Sequence, residues 1–192
     1  VTDLEAALIR LDTDLRALRV RWALVGGWAV SLLAEPRTTR DVDVTVMVAN
    51  DREAERIAMA LRLRGYGYLP ESVLEQTAVH RLATVRFVSS APTTGETIVD
   101  LLFASSGIEP EVVAAASRME VLPGFFVRVA QLGHMIALKV LAGRSQDVAD
   151  LQTLRRYAED RDLKLARESL ELISRRGYDR GKDLLAEFAR LV

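Results

Sequence analysis

The sequence predicts an α+β fold: a mixed-sheet lobe over residues 1–129, followed by a small helical lobe over residues 130–192. Three observations carry that expectation. Up to residue 129, short apolar runs rich in Val, Ile and Phe alternate with helical patterns. From Ala130 onward, four stretches read as helices and none as a strand. The 192 residues, 49% of them apolar, suffice for one domain or two small lobes around a sizeable core. No Pro- or Ser-rich linker marks the boundary near residue 130.

Taken in order, Leu4, Leu8, Leu11, Leu15 and Leu18 repeat at helical spacing and give an amphipathic first helix. Trp22 to Val25 reads as a short buried strand. Gly26-Gly27 breaks it, and Trp28 to Ala34 reads as a helix that Glu35-Pro36 stops. Val42 to Val48 is a strand. Asn50-Asp51 caps a helix from Arg52 to Arg64, which Gly65 ends. Val79 to Leu82 and Thr84 to Val88 read as strands, Ser89 to Gly95 as a polar turn, and Thr97 to Phe103 as the strand that completes a hairpin. Glu109 to Arg118 reads as a helix, and Met119 to Leu122 and Phe125 to Val129 as strands around Pro123-Gly124. The four closing helices are Ala130 to Leu141, Gln146 to Ala158, Leu163 to Arg175 and Lys182 to Leu191, with Ser145 as a cap.

Composition excludes several kinds of chemistry. There is no cysteine, so thiolate metal sites, disulfides and thiol nucleophiles are ruled out. The two histidines, His80 and His134, stand far apart without ligand spacing, and both read as structural. A net charge of −1 gives no bulk attraction to nucleic acid or membrane. No apolar run is long enough to span a bilayer and no signal peptide opens the chain, so the expectation is a cytoplasmic protein with no membrane partner.

The most informative residues are Asp41 and Asp43. Side chains two apart on a strand share a face, so Val42, Val44 and Val46 point to the core and the two carboxylates point away together. Anions held that close repel unless a cation sits between them. Hard ions such as Mg²⁺ (or Mn²⁺) bind through carboxylates together with substrate phosphates, which marks the pair as a candidate metal site for phosphoryl or nucleotidyl transfer. Gly26-Gly27 strengthens that reading. A strand-to-helix turn presents backbone N–H groups to a phosphate, and glycine lets the phosphate approach. A third acid, Asp100, interrupts the otherwise almost fully apolar strand Thr97 to Phe103, where a lone carboxylate is costly to bury, so it is the candidate third ligand.

Lysine is rare: Lys139, Lys164 and Lys182 stand against arginine everywhere else. Lys139 lies in the apolar stretch Met135-Ile-Ala-Leu-Lys139-Val-Leu. It either supplies charge to a triphosphate or snorkels from a helix edge; if it serves a triphosphate, Lys139→Met should change stability little, and a large stability loss with normal nucleotide affinity would instead mark a structural ion pair with Asp147 or Asp150. Arg37 and Arg40 flank the acidic strand and either bind phosphate or nucleic-acid backbone or solvate a loop. Asp147 and Asp150 share a helix face and read as structural, as partners of Arg144 or Lys139 or as favourable charges near a helix start.

Gly26-Gly27, Asp41-Val-Asp43 and a later single Asp100 together resemble the pattern of the DNA polymerase β-type nucleotidyltransferases. Arg37-Thr-Thr39-Arg-Asp41-Val-Asp43 resembles an Arg-x-Thr-x-Asp-x-Asp form of its small bacterial branches. The Lys139…Arg144…Asp147…Asp150 stretch is similar to that of the AbiEii-type nucleotidyltransferases, whose members include toxins of toxin–antitoxin pairs. The resemblance implies a nucleotidyltransferase lobe, an NTP donor, two Mg²⁺ ions held by Asp41, Asp43 and Asp100, and transfer of a nucleoside monophosphate to a hydroxyl. It implies nucleotide contacts from Gly26, Gly27, Arg37, Thr39 and Lys139. The acceptor stays open between tRNA or another RNA, a protein, and a small molecule of aminoglycoside type, since Gly-Gly-Trp-Ala-Val also resembles small-molecule adenylyltransferases. A non-catalytic binding or regulatory partner with the same fold, for instance within a toxin–antitoxin pair, is the competing reading.

Overall fold

A computed structural model describes residues 2–68, 83–91 and 95–192. The first helix, α1 (Asp3–Ala17), starts at Thr2: the Thr2 hydroxyl accepts the Glu5 amide, and the Glu5 carboxylate accepts the Thr2 amide. Its Leu8, Leu11 and Leu15 stripe is fully buried against the sheet. Strand β1 (Trp22–Leu24) follows, then α2 (Gly26–Leu33), β2 (Asp41–Val46) and α3 (Asp51–Leu63), whose Asn50 cap accepts the Glu53 amide.

The remaining strands are β3 (Gly67–Tyr68), β4 (Thr84–Ala91), β5 (Gly95–Leu102), β6 (Ser117–Leu122) and β7 (Phe125–Val129), with α4 (Glu109–Ala115) before β6. Among the described residues they form one mixed sheet of order β3-β4-β5-β2-β1-β7-β6. β2 runs parallel to β5, and β1 parallel to β7; the other neighbours are antiparallel. Central strand β1 is buried along its whole length, as a strand covered on both faces must be.

Beyond Val129 the chain is helical: α5 (Leu132–Ala142), α6 (Ser145–Tyr157), α7 (Asp160–Arg175) and α8 (Leu184–Leu191). α5 is buried on nearly every side, with α6, α7, α8 and α2 packed around it. Gly133 makes this close packing feasible, because a Cβ there would run into the Asp162 carbonyl and Leu165 of α7. Leu24 and Val129 of the sheet share one continuous apolar core with Ile136, Leu170 and Phe188 of the helices. Among the described residues, no helix is long and apolar enough to cross a membrane.

Several elements differ from the sequence expectation. Ser89, Ser90 and Ala91 continue β4 by pairing with Thr97, Glu96 and Gly95, so the polar composition there marks a strand end rather than a turn. The helix expected through Arg118 ends at Ala115, because Ser117 and Arg118 pair with Val129 and Arg128 of β7. Ser145 is the first helical residue of α6, not its cap; Asp147 instead turns back to accept the Arg144 amide at 3.1 Å. Two-residue β3 was not anticipated. The strand read at Val79 to Leu82, with His80, lies outside the described residues.

Candidate functional site

The parallel register of β2 and β5 sets Asp43 directly beside Asp100, and the antiparallel register of β5 and β4 sets Arg86 on the other side of Asp100. A row Asp43–Asp100–Arg86 therefore crosses three strands, with Asp41 two residues before Asp43 on the same face. The intervening Val42 and Val44 are fully buried. Carboxylate oxygens of Asp41, Asp43 and Asp100 lie within 4.8 Å of one another.

The electrostatics are those of anions short of a cation. The Asp43 carboxyl is pushed up from 3.8 to about 7, first by burial and then by the charges of Asp41 and Asp100, against a smaller opposing pull from Lys139 and Arg144. The Thr39 hydroxyl donates to Asp41 Oδ1 at 2.9 Å and holds that carboxylate in place. Arg86 donates from Nε and Nη2 to the two Asp100 oxygens, at 2.8 and 2.6 Å. An all-oxygen set of three converging carboxylates suits a hard divalent ion.

Gly26 and Gly27 form the wall opposite. The Val25 amide bonds to the Asp43 carbonyl at 2.9 Å, which draws the end of β1 against β2. Gly26 then opens α2 with φ of +67°, and a Cβ there would overlap the Asp43 carboxylate. A Cβ on Gly27 would overlap the Arg37 guanidinium and the Thr39 hydroxyl. Val25, the N-cap of α2, makes no side-chain hydrogen bond to the helix's first amides.

Lys139 does not snorkel. It is only 6% exposed, and its ammonium lies 2.9 Å from Asp147 Oδ1 and 2.7 Å from Asp150 Oδ2. Asp150 also lies 3.1 Å from Arg37 Nε, and Asp147 accepts Arg144 Nε at 2.8 Å. Burial alone would raise the Asp147 carboxyl, but the hydrogen bonds from Arg144 and Lys139 outweigh it and hold the group low. The snorkelling reading of Lys139 is therefore corrected: this lysine is buried and balances two buried carboxylates. The structural reading of Asp147 and Asp150 agrees with these pairs.

With the exception of Asp150, these groups line one cleft of about 560 Å³ between the sheet and α5–α6. Asp41, Asp43 and Asp100 form its acidic floor. Arg37, Arg40, Arg86, Arg144 and Arg180 surround that floor, and Met135, Leu138, Leu141 and Ala142 of α5 and its end supply an apolar wall. Behind the loop after β5, buried Glu109 accepts from the Ser106 amide and from the hydroxyls of Ser105 and Ser106, and Arg180 donates to the Ser105 carbonyl. His134 sits buried on α5, its pKa lowered by burial, and does not line the cleft.

Sequence reasoning missed Arg86, Arg180 and the Ser105–Ser106–Glu109 cluster. For Arg86 a signal existed. A lone arginine in Val85-Arg86-Phe87 breaks one strand of a hairpin just as Asp100 breaks the other. For Arg180 the sequence held none.

The profile of the family described as "Nucleotidyl transferase AbiEii toxin, Type IV TA system" matches residues 10–190. No curated protein sequence matches the chain. Among solved structures, the chain is similar to an antigenic nucleotidyltransferase-like protein from Paracoccidioides brasiliensis, at 17% identity over 97% of this chain and 92% of that one, with a TM-score of 0.56. It is also similar to the lincosamide antibiotic adenylyltransferase LnuA in its lincomycin-bound form, at 15% identity over 82% and 99%, TM-score 0.50. A third is the antibiotic-resistance factor ANT(2″)-Ia in solution, at 15% identity over 95% of each chain, TM-score 0.50. At these identities the likeness shows a shared fold.

Proposed function

The chain belongs to the AbiEii nucleotidyl transferase toxin family, and from that premise we propose that its cleft transfers a nucleoside monophosphate from an NTP to a hydroxyl acceptor, with Asp41, Asp43 and Asp100 as metal ligands. The observation that carries this reading is the convergence of those three carboxylates within 4.8 Å beside the uncapped start of α2. The acceptor oxygen attacks the α-phosphorus as its hydroxyl proton passes to a site carboxylate or water, the bond to the bridging oxygen breaks, and pyrophosphate leaves. When bound, divalent ions such as Mg²⁺ would neutralise triphosphate charge and acidify the acceptor hydroxyl.

The chain's own residues divide the remaining work. The α2 amides behind Gly26 and Gly27 receive phosphate oxygens in a corner that a larger side chain would block. Thr39 aims Asp41. Arg37 stands over the glycine turn with Asp150 behind it, which orients its guanidinium for phosphate. Lys139 acts one step back: it holds Asp147 and Asp150, which in turn place Arg144 and Arg37. Asp100, on the far strand, serves the acceptor side.

The family's description names a toxin of a type IV toxin–antitoxin pair, which supports an antitoxin counterpart; RNA, tRNA included, is the first reading for the acceptor. A small-molecule acceptor is the second reading. It draws support from the fold shared with the antibiotic adenylyltransferases and from the apolar α5 wall of the cleft. The test is incubation with each labelled NTP and Mg²⁺, with total RNA in one arm and an aminoglycoside and lincosamide panel in the other. Label on RNA supports the first acceptor and label on a drug the second. No transfer to any RNA, protein or small hydroxyl compound contradicts the proposal.

A further inference from the structure

The cross-strand fork between Arg86 and Asp100 is unexplained by nucleotide binding alone. Both Asp100 oxygens are taken, at 2.8 and 2.6 Å, by one guanidinium whose strand register sets it directly opposite. A divalent ion bridging Asp100 to Asp41 and Asp43 needs at least one of the same oxygens. A guanidinium and a metal ion draw on the same carboxylate charge, so each weakens the other's hold on Asp100.

We infer that Arg86 is a tethered cation that competes with the metal for Asp100, so that the nucleotide-free protein loads an ion on Asp41 and Asp43 first and fills the Asp100 position only when the fork opens. This rests on the metal reading of the three acids given above. Geometry favours such an exchange. The Arg86 side chain is 46% exposed and lines the cleft, whereas Asp100 is nearly buried. Among the described residues, no arginine forks onto Asp43, the neighbour of Asp100 in register. Once released, the guanidinium remains at the cleft wall facing the anionic substrate. Arg86 is thus a positioning residue: it acts through Asp100 and keeps the acceptor-side metal position closed until substrate arrives.

The test counts Mn²⁺ ions bound to the nucleotide-free protein by electron paramagnetic resonance titration, with a thermal melt of each variant alongside. Wild type should bind one tight ion that Asp43→Asn removes. Arg86→Gln should bind a second ion, with affinity for that ion about tenfold or more above wild type, as expected when a competing unit charge is removed. Arg86→Lys, which cannot fork, should fall between the two. Asp43-dependent binding that is identical in wild type, Arg86→Gln and Arg86→Lys overturns the competition and leaves the metal site standing. No Mn²⁺ binding by any of these proteins, with or without NTP, overturns both.

Discussion

The Asp43 carboxylate occupies the space that a side chain on Gly26 would fill. The strand carrying the acid and the turn beside it are therefore built around the absence of one carbon atom. Gly26 is also left-handed at φ +67°, so two independent demands fall on the same residue.

Gly26→Ala is expected to lose stability by about 1–3 kcal/mol from backbone strain and to displace Asp43 as well. Gly124→Ala is the matched control. It is also left-handed, at φ +74°, but has nothing within 4 Å of its added Cβ. Both variants should melt lower, and only Gly26→Ala should lose NMP transfer, by about 100-fold for a misplaced reacting group. Equal activity in the two, measured at matched folded fraction, would remove the contact from the account.

Lys139→Met is expected to destabilise the protein by roughly 3–5 kcal/mol, since it leaves Asp147 and Asp150 buried without their shared cation. Adding Asp147→Asn to the same chain should recover part of that loss. Urea denaturation of the single and double variants gives the coupling. A single variant as stable as wild type would mean that solvent or Arg144 and Arg37 suffice for these acids.

A pH dependence follows from Asp43. Its folded value of about 7 stands above its ordinary 3.8, so in the metal-free state the folded protein binds more protons than the unfolded chain between those values. Stability attributable to Asp43 is then greatest at low pH and falls as pH rises through that window. In a chelator, the melting temperature of wild type relative to Asp43→Asn should drop from about pH 5 to about pH 8, and Mg²⁺ should raise the melting temperature of wild type more at about pH 8. A difference that stays constant with pH would place the Asp43 carboxyl in its ordinary range.

How far the sequence reaches depends on the range of each interaction. Asp41 and Asp43 share a face because a strand has a period of two, which any two residues of that spacing inherit. The Gly26-Gly27 turn and the four closing helices were legible for the same local reason. The fork of Arg86 on Asp100 was not, because it depends on hairpin register, and the composition of Ser89 to Ala91 disguised three more rungs of that ladder as a turn. Lys139 and Asp147 were each legible as candidates, but their burial together arises from α6 folding back on α5 after Gly143, whose φ of +66° ends α5. β3 is two residues long and carries no period to read.

The most direct measurement is transfer of labelled NMP from NTP in Mg²⁺ by wild type, Asp41→Ala and Asp43→Ala, each verified as folded by its thermal melt. Wild type should label its acceptor, and both variants should fall to background while keeping a cooperative melt, because each loses a metal ligand without opening a cavity in the core. Transfer by either folded variant at near the wild-type rate would contradict the assignment of the chemistry to this pair of acids.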